Sequence, residues 1–142
     1  MYEKRVDIYI ATRGGVKAKE GRYGYVVEYI TSAGETKTRE GFGAEKETTS
    51  QRLTLAALKS ALTILREPCV VVLHMPDPFV RGAFLSHQIV KWGIHGCQTS
   101  EGKTIANAQL WQEVYELQVR HIIKIAEDGA NNPYTNWMKE QM

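Results

Sequence analysis

The segment VVVLHMPDPFVRGAF, Val70 to Phe84, runs from an apolar stretch into a helix-like pattern through Met75, Pro76, Asp77 and Pro78. The C-terminal end of a buried strand is where open α/β sheets place their ligand-binding and reactive groups. Asp77 is therefore the first carboxylate to weigh as an acid or a metal ligand. Its flanking prolines offer a second reading, because aspartate followed by proline is a helix N-cap with proline at the first helical position. Asp7, Glu45, Glu47 and Asp128 are the other acids that could act with it. The histidines, His74, His87, His95 and His121, form no HxxxH or HExxH pattern, and Cys69 and Cys97 form no CxxC. That spacing does not suit zinc, and both thiols are expected to be reduced in a cytoplasmic protein.

Two polar stretches could meet a polyanion. RGGVKAKEGR carries Arg13, Lys17, Lys19 and Arg22 against Glu20 alone, a local excess of positive charge of the kind that meets phosphates. Taken without context, it reads first as a solvated hairpin loop. Thr49, Ser50 and Gln51 open a long apolar-striped segment. Their hydroxyls and amide could contact a nucleic-acid groove, and Thr48, Thr49 or Ser50 could cap the helix that follows.

These residues sit in a chain of 142 with 43% hydrophobic and 24% charged residues and a net charge of +2. That is ordinary globular composition, and one domain over 1–142 is expected. No apolar run reaches membrane-spanning length, so no membrane partner is expected. MYEKRVDIYIATRGG has no continuous apolar core of the secretory type.

The elements that must position these residues follow from periodicity. VDIYIAT, YGYVVEYIT and ETKTREGFG alternate and read as three antiparallel strands. TSQRLTLAALKSALTILRE places Leu53, Ala56, Ala57, Ser60, Ala61 and Ile64 on one helical stripe, which Pro68 ends. CVVVLHM reads as a strand buried on both faces, parallel to an earlier one through the helical crossover. FVRGAFLSHQIVKW is expected as one helix after Asp77. GIHGCQTSEGKTIA is expected as a loop and NAQLWQEVYELQVRH as a helix with Trp111 in the core. HIIKIAE is a last strand and YTNWMKEQM a last helix. The fold class is α/β: a five-stranded mixed sheet, strands 1–3 antiparallel and the rest parallel, with helices on both faces.

In this order the chain resembles the ribonuclease H type I family over nearly its whole length. VDIYIAT stands where the family has a strand ending in an aspartate. RYGYVV is similar to its second strand, TTSQRLTLAALKSAL to its first helix, and FVRGAF to the helix after the fourth strand. GKTIANAQLWQEVYEL is the strongest local match. The resemblance implies an RNase H-like fold and, in an active member, cleavage of the RNA strand of an RNA–DNA hybrid. Four carboxylates would there hold two Mg²⁺ ions about 3.5–4 Å apart.

The positions that match those carboxylates are Ala11, Thr54, Pro76 and, less securely, a residue near Met138. The histidine of the family's flexible loop has no counterpart in EDGANN. Asp7 points to the same strand face as Ala11 but lies about 13 Å away at roughly 3.3 Å per residue. Glu45 and Glu47 precede the helix, Asp128 is a lone loop acid, and no cluster of three assembles from these.

The resemblance thus implies a pseudoenzyme with no catalytic or metal-ligating residues and no cofactor. Mg²⁺ or Mn²⁺ enters only if the carboxylates are relocated. Nucleic acid, as RNA–DNA hybrid or duplex RNA, is the expected partner, through Arg13, Lys17, Lys19, Arg22, Thr49, Ser50 and Gln51. The region after Trp92, where some family members carry a basic handle, has only Lys91 and Lys103, with Glu101 opposing. An active nuclease with relocated ligands and a scaffold for a protein partner or a second copy remain the alternatives.

Overall fold

The computed structural model describes residues 4–14, 18–98 and 102–142. Strand β1, Arg5–Arg13, alternates cleanly. Val6, Ile8 and Ile10 are at most 1% exposed and face one side. Asp7, Tyr9 and Ala11 face the other. Strands β2 (Ala18–Ile30) and β3 (Thr36–Thr48) continue antiparallel from β1. Helix α1, Ser50–Ile64, crosses back over the sheet and delivers β4, Val70–His74, parallel to β1. Helices α2 (Pro78–Leu85), α3 (Gln88–Ile94) and α4 (Ala108–Gln118) follow. Strand β5, Ile122–Ile125, pairs parallel to β4, and helix α5, Pro133–Gln141, ends the order. The sheet runs β3-β2-β1-β4-β5, which is the mixed architecture expected.

The main core lies on the α1 side of the sheet, where Leu55, Leu58 and Leu62 meet Ile8, Leu73 and Trp111. Val71 and Leu73 are fully buried and Val72 is nearly so, as a strand covered on both faces requires. Trp111 is a core residue, as expected. Helix α5 covers the opposite face, where Met138 packs on Ala11 and Val26. Cys69 and Cys97 are buried free thiols, and burial raises both above the usual thiol range. No helix among the described residues is long and apolar enough to cross a membrane.

Two expectations need correction. The stretch Arg13 to Arg22 is not a loop for most of its length, since β2 already begins at Ala18. Arg13 pairs with Arg22 in β1–β2 and Ala18 with Thr48 in β2–β3, so Arg13 and Ala18 to Arg22 belong to the sheet. Lys17 lies outside the described residues, as does Glu101. The segment after Asp77 is two helices, not one. Leu85 and Ile89 would share a face of an unbroken helix. Yet Leu85 is 58% exposed and Ile89 only 2%. The break that separates them is at His87, which adopts a left-handed φ of 61°. The amide of Ser86 donates back to Gly82 and that of His87 to Phe84, ending α2.

Gly93 is required where it stands: a β-carbon there would lie 2.3 Å from the Tyr115 ring. That contact sets α3 flat against α4 and fixes the direction of Trp92.

Candidate functional site

The N-terminus of α1 and the C-terminal end of β4 meet at one corner, and Asp77 joins them. Its Oδ1 accepts from Ser50 Oγ at 2.6 Å and its Oδ2 from the Val80 amide at 2.9 Å. Both carboxylate oxygens are thus engaged, and the residue is buried. This is an N-cap with Pro78 at the start of the helix. Thr49 caps α1 in the same way, accepting from the Arg52 amide at 3.2 Å. Thr49→Ala is expected to cost about 1 kcal/mol of stability, as loss of a threonine cap does, measurable as a fall in urea midpoint at unchanged slope.

Gln51 is half-buried and has a partly open side. Arg52 is held by Glu45 at 2.8 Å and by Asn107 Oδ1 at 3.4 Å.

The same corner carries an aromatic shelf in which Trp92 is joined by Phe79, a residue that sequence reasoning missed. Phe79 is 56% exposed, two residues past Asp77. Its ring lies nearly parallel to Trp92, with centroids 6.4 Å apart and 17° between planes. Trp92 rests edge-on against buried Trp111 at 4.9 Å. Phe79 stood in the sequence only as part of FVRGAF. Trp92 reaches it from α3, which begins after the helix break at His87, and that break carries no sequence signal of its own.

The basic residues divide. Arg13 Nη2 donates to the Lys139 carbonyl at 2.7 Å and Arg22 Nη1 to that of Met142 at 3.5 Å. Both guanidiniums therefore sit at the C-terminal end of α5, where cations complement the helix dipole. They are on the sheet face opposite α1 and do not join Thr49, Ser50 and Gln51. Lys19 is exposed. Strand alternation puts it on the side of Gly21, where a β-carbon would touch Thr48 and Leu53. It is the one described member of the basic set on the α1 side.

Beneath α5 lies a polar cluster that was also not foreseen. His74 Nε2 is 2.8 Å from Asp7 Oδ2, and Nδ1 is 2.8 Å from Asp128 Oδ1. Each ring nitrogen thus faces a carboxylate oxygen. The Tyr9 ring stacks on the imidazole at 4.0 Å. Asp7 also accepts from Arg5 at 3.0 Å. Burial works to raise the Asp7 carboxyl, but the bonds from Arg5 and His74 outweigh it and hold the group below its ordinary value. Tyr134 donates to Glu28 beside this cluster, and that bond, with burial, pushes its phenol up to about 12. The usable signal was register: Tyr9 pairs with His74, so Asp7 lies one pleat away on the same face. That register could not be read before β4 was known to lie beside β1.

Of the four positions that the resemblance would assign to carboxylates, Ala11, Thr54 and Met138 are fully buried and Pro76 is half-buried. Ala11 and Met138 are fully buried in one apolar cluster with Val26. Thr54 is fully buried and its hydroxyl donates to the Ser50 carbonyl at 2.8 Å. Pro76 offers no side-chain donor. Among the described residues no group of three His, Cys, Asp or Glu side chains could hold a metal ion.

A five-stranded sheet of this order, with a crossover helix on one face and a C-terminal helix on the other, is an RNase H-like α/β domain. The RNase H family model matches residues 4–127. The chain is 35% identical over 135 residues to ribonuclease H of Acetivibrio thermocellus, covering 94% of this chain and 88% of that protein. It is 32% identical to ribonuclease H of Chlorobium phaeovibrioides, covering 94% and 90%. The crystal structure of LC9-RNase H1, a type 1 RNase H with the type 2 active-site motif, shares the fold with a TM-score of 0.73 at 19% identity, over 99% of this chain and 71% of that one. The foamy viral protease-reverse transcriptase in complex with RNA/DNA hybrid shares it with a TM-score of 0.64 at 12% identity, over 96% and 19%. The chain belongs to the RNase H family.

Proposed function

We propose that this chain is an RNase H-family module that binds RNA–DNA hybrid or duplex RNA and does not cleave it by the family's two-metal route. The observation that carries this reading is the apolar contact of Ala11 with Met138, at positions that resemblance assigns to metal ligands. Mg²⁺ takes hard oxygen ligands at about 2.0–2.1 Å with little tolerance. Alanine, methionine, proline and a threonine already bonded to backbone do not supply them. The residues present therefore do not fit the metal pair, and no hydrolytic step follows from them. Asp77, the nearest acid, is committed to Ser50 and Val80.

Binding rests on the corner where α1 meets α2. Half-buried Gln51 stands in the first turn of α1 and Lys19 on the α1 face of the sheet, where a duplex would lie against the α1 N-terminus. Phe79 and Trp92 add a flat apolar surface on which a sugar or an unstacked base can rest. Arg13 and Arg22 act as caps of α5 and are not needed for this contact.

The test is fluorescence anisotropy of an end-labelled RNA–DNA hybrid, with the products run on a denaturing gel in Mg²⁺ and in Mn²⁺. Salt-dependent binding without cleavage is expected. Phe79→Ala with Gln51→Ala is expected to weaken binding about tenfold, the size of one lost stacking contact. Cleavage abolished by Asp7→Asn would overturn the reading in favour of relocated ligands. Absence of binding at low salt would leave the scaffold reading.

A further inference from the structure

We propose that the chain has a second ligand site, for a small organic phosphate with an apolar body, at the far end of α1. A cavity of about 380 Å³ opens there. It is separated from the α1–α2 corner by the length of α1, about 22 Å at 1.5 Å per residue. The cavity follows from a mismatch of lengths. Strands β2 and β3 are each 13 residues long. Helix α1 stops at Ile64 because Leu65 is extended and Pro68 follows. The strand ends therefore run past their covering helix and leave Tyr29 and Ile64, both half-buried, as an apolar floor above the core residues Val6 and Val27.

The rim is cationic. Lys4, Arg39 and Arg66 stand against Glu67 alone, three cations to one carboxylate. Lys4 takes up Glu67 at 3.5 Å and lies 5.1 Å from the Tyr29 ring centre. Among the described residues neither Arg39 nor Arg66 has a carboxylate partner. Arg39 pairs with Val27 across the β2–β3 ladder, so its guanidinium leaves the sheet on the floor side of the cavity. The carbonyl of Leu65, just past the helix end, already accepts from Arg120, which blunts the negative pole that would repel an anion.

A cavity of this size with an apolar floor and a few convergent charges is the usual form of a small-molecule site. Two guanidiniums select a planar or tetrahedral oxyanion over a neutral polar head, and phosphate accepts from both in a fork. The occupant is therefore an aryl or alkyl monophosphate, its body on Tyr29 and Ile64 and its head between Arg39 and Arg66.

The probe is 1-naphthyl phosphate, titrated into the whole protein and followed by NMR shifts of Val27, Ile64 and Tyr29. Saturable shifts confined to that end are expected. Neutral 1-naphthol and inorganic phosphate should each bind at least about tenfold more weakly, since each lacks one half of the match. Arg39→Glu with Arg66→Glu should weaken the probe by a similar factor while leaving hybrid binding and melting temperature unchanged. Absence of shifts, shifts centred on Phe79 and Gln51, or equal binding of naphthol would overturn the site. Hybrid binding is read by anisotropy and not by these shifts, so the two readings fail separately.

Discussion

Replacing His74 by alanine is expected to destabilise the fold by about 3 kcal/mol, a large share of a total that in small domains runs to roughly 5–15 kcal/mol. The imidazole is the bridge between two carboxylates, Asp7 on β1 and Asp128 in the turn before α5. Alanine removes both bonds at once and leaves the acids facing a cavity. It also uncovers the Tyr9 ring. Leaving a buried charged acceptor without its donor costs about 1–3 kcal/mol or more, and two carboxylates lose theirs here, Asp128 the less because it is 31% exposed at its side chain. Urea unfolding of the variant measures the loss, and a change below about 1 kcal/mol would show the cluster to be a screened surface pair.

The same cluster gives a sign for the acid limb. The Asp7 carboxyl is held below its unfolded value of 3.8. A depressed carboxylate contributes stability above the unfolded value and loses it as pH falls through the folded one. Part of the stability lost below pH 3.8 should therefore vanish in Asp7→Asn, whose curve will run flatter there.

Asp77→Ala is the second large effect, about 2–4 kcal/mol. Loss of an N-cap contributes about 1 kcal/mol. The hydroxyl of Ser50 loses a charged acceptor at 2.6 Å, a bond of a kind worth roughly 1.5–3 kcal/mol. Asp77→Asn separates the two, since asparagine caps as well as aspartate does but offers Ser50 a neutral acceptor. It should retain more than half of the stability that alanine loses. Both are read from urea midpoints. If alanine were neutral, Asp77 would be free for chemistry and the N-cap account would fail.

The strands were legible because their alternation reports a one-sided burial, as in VDIYIAT, and β4 because VVVL reports burial on both sides. Thr49 and Asp77 were legible as caps because capping chemistry is local. Residues brought together by non-local register were not. His74 gives no hint in sequence of Asp7, 67 positions away. Arg13 and Arg22 looked like a basic loop because their real partners are backbone carbonyls at the other end of the chain. Phe79 and Trp92 became a shelf through a turn at His87 that periodicity had smoothed over.

The strand order also dictates the order in which the chain can assemble. Strands β1, β2 and β3 are joined by short connections, while β1 gains its second neighbour only when β4 arrives about 65 residues later, a closure that pays its entropy before any ladder forms. Until then Val6, Ile8 and Ile10 stand on an open edge, and a nascent three-stranded ribbon with such an edge is the species most apt to stick to its own kind. Expression yield should therefore respond more sharply to changes that slow α1 and β4 than to equal losses of stability placed in α5.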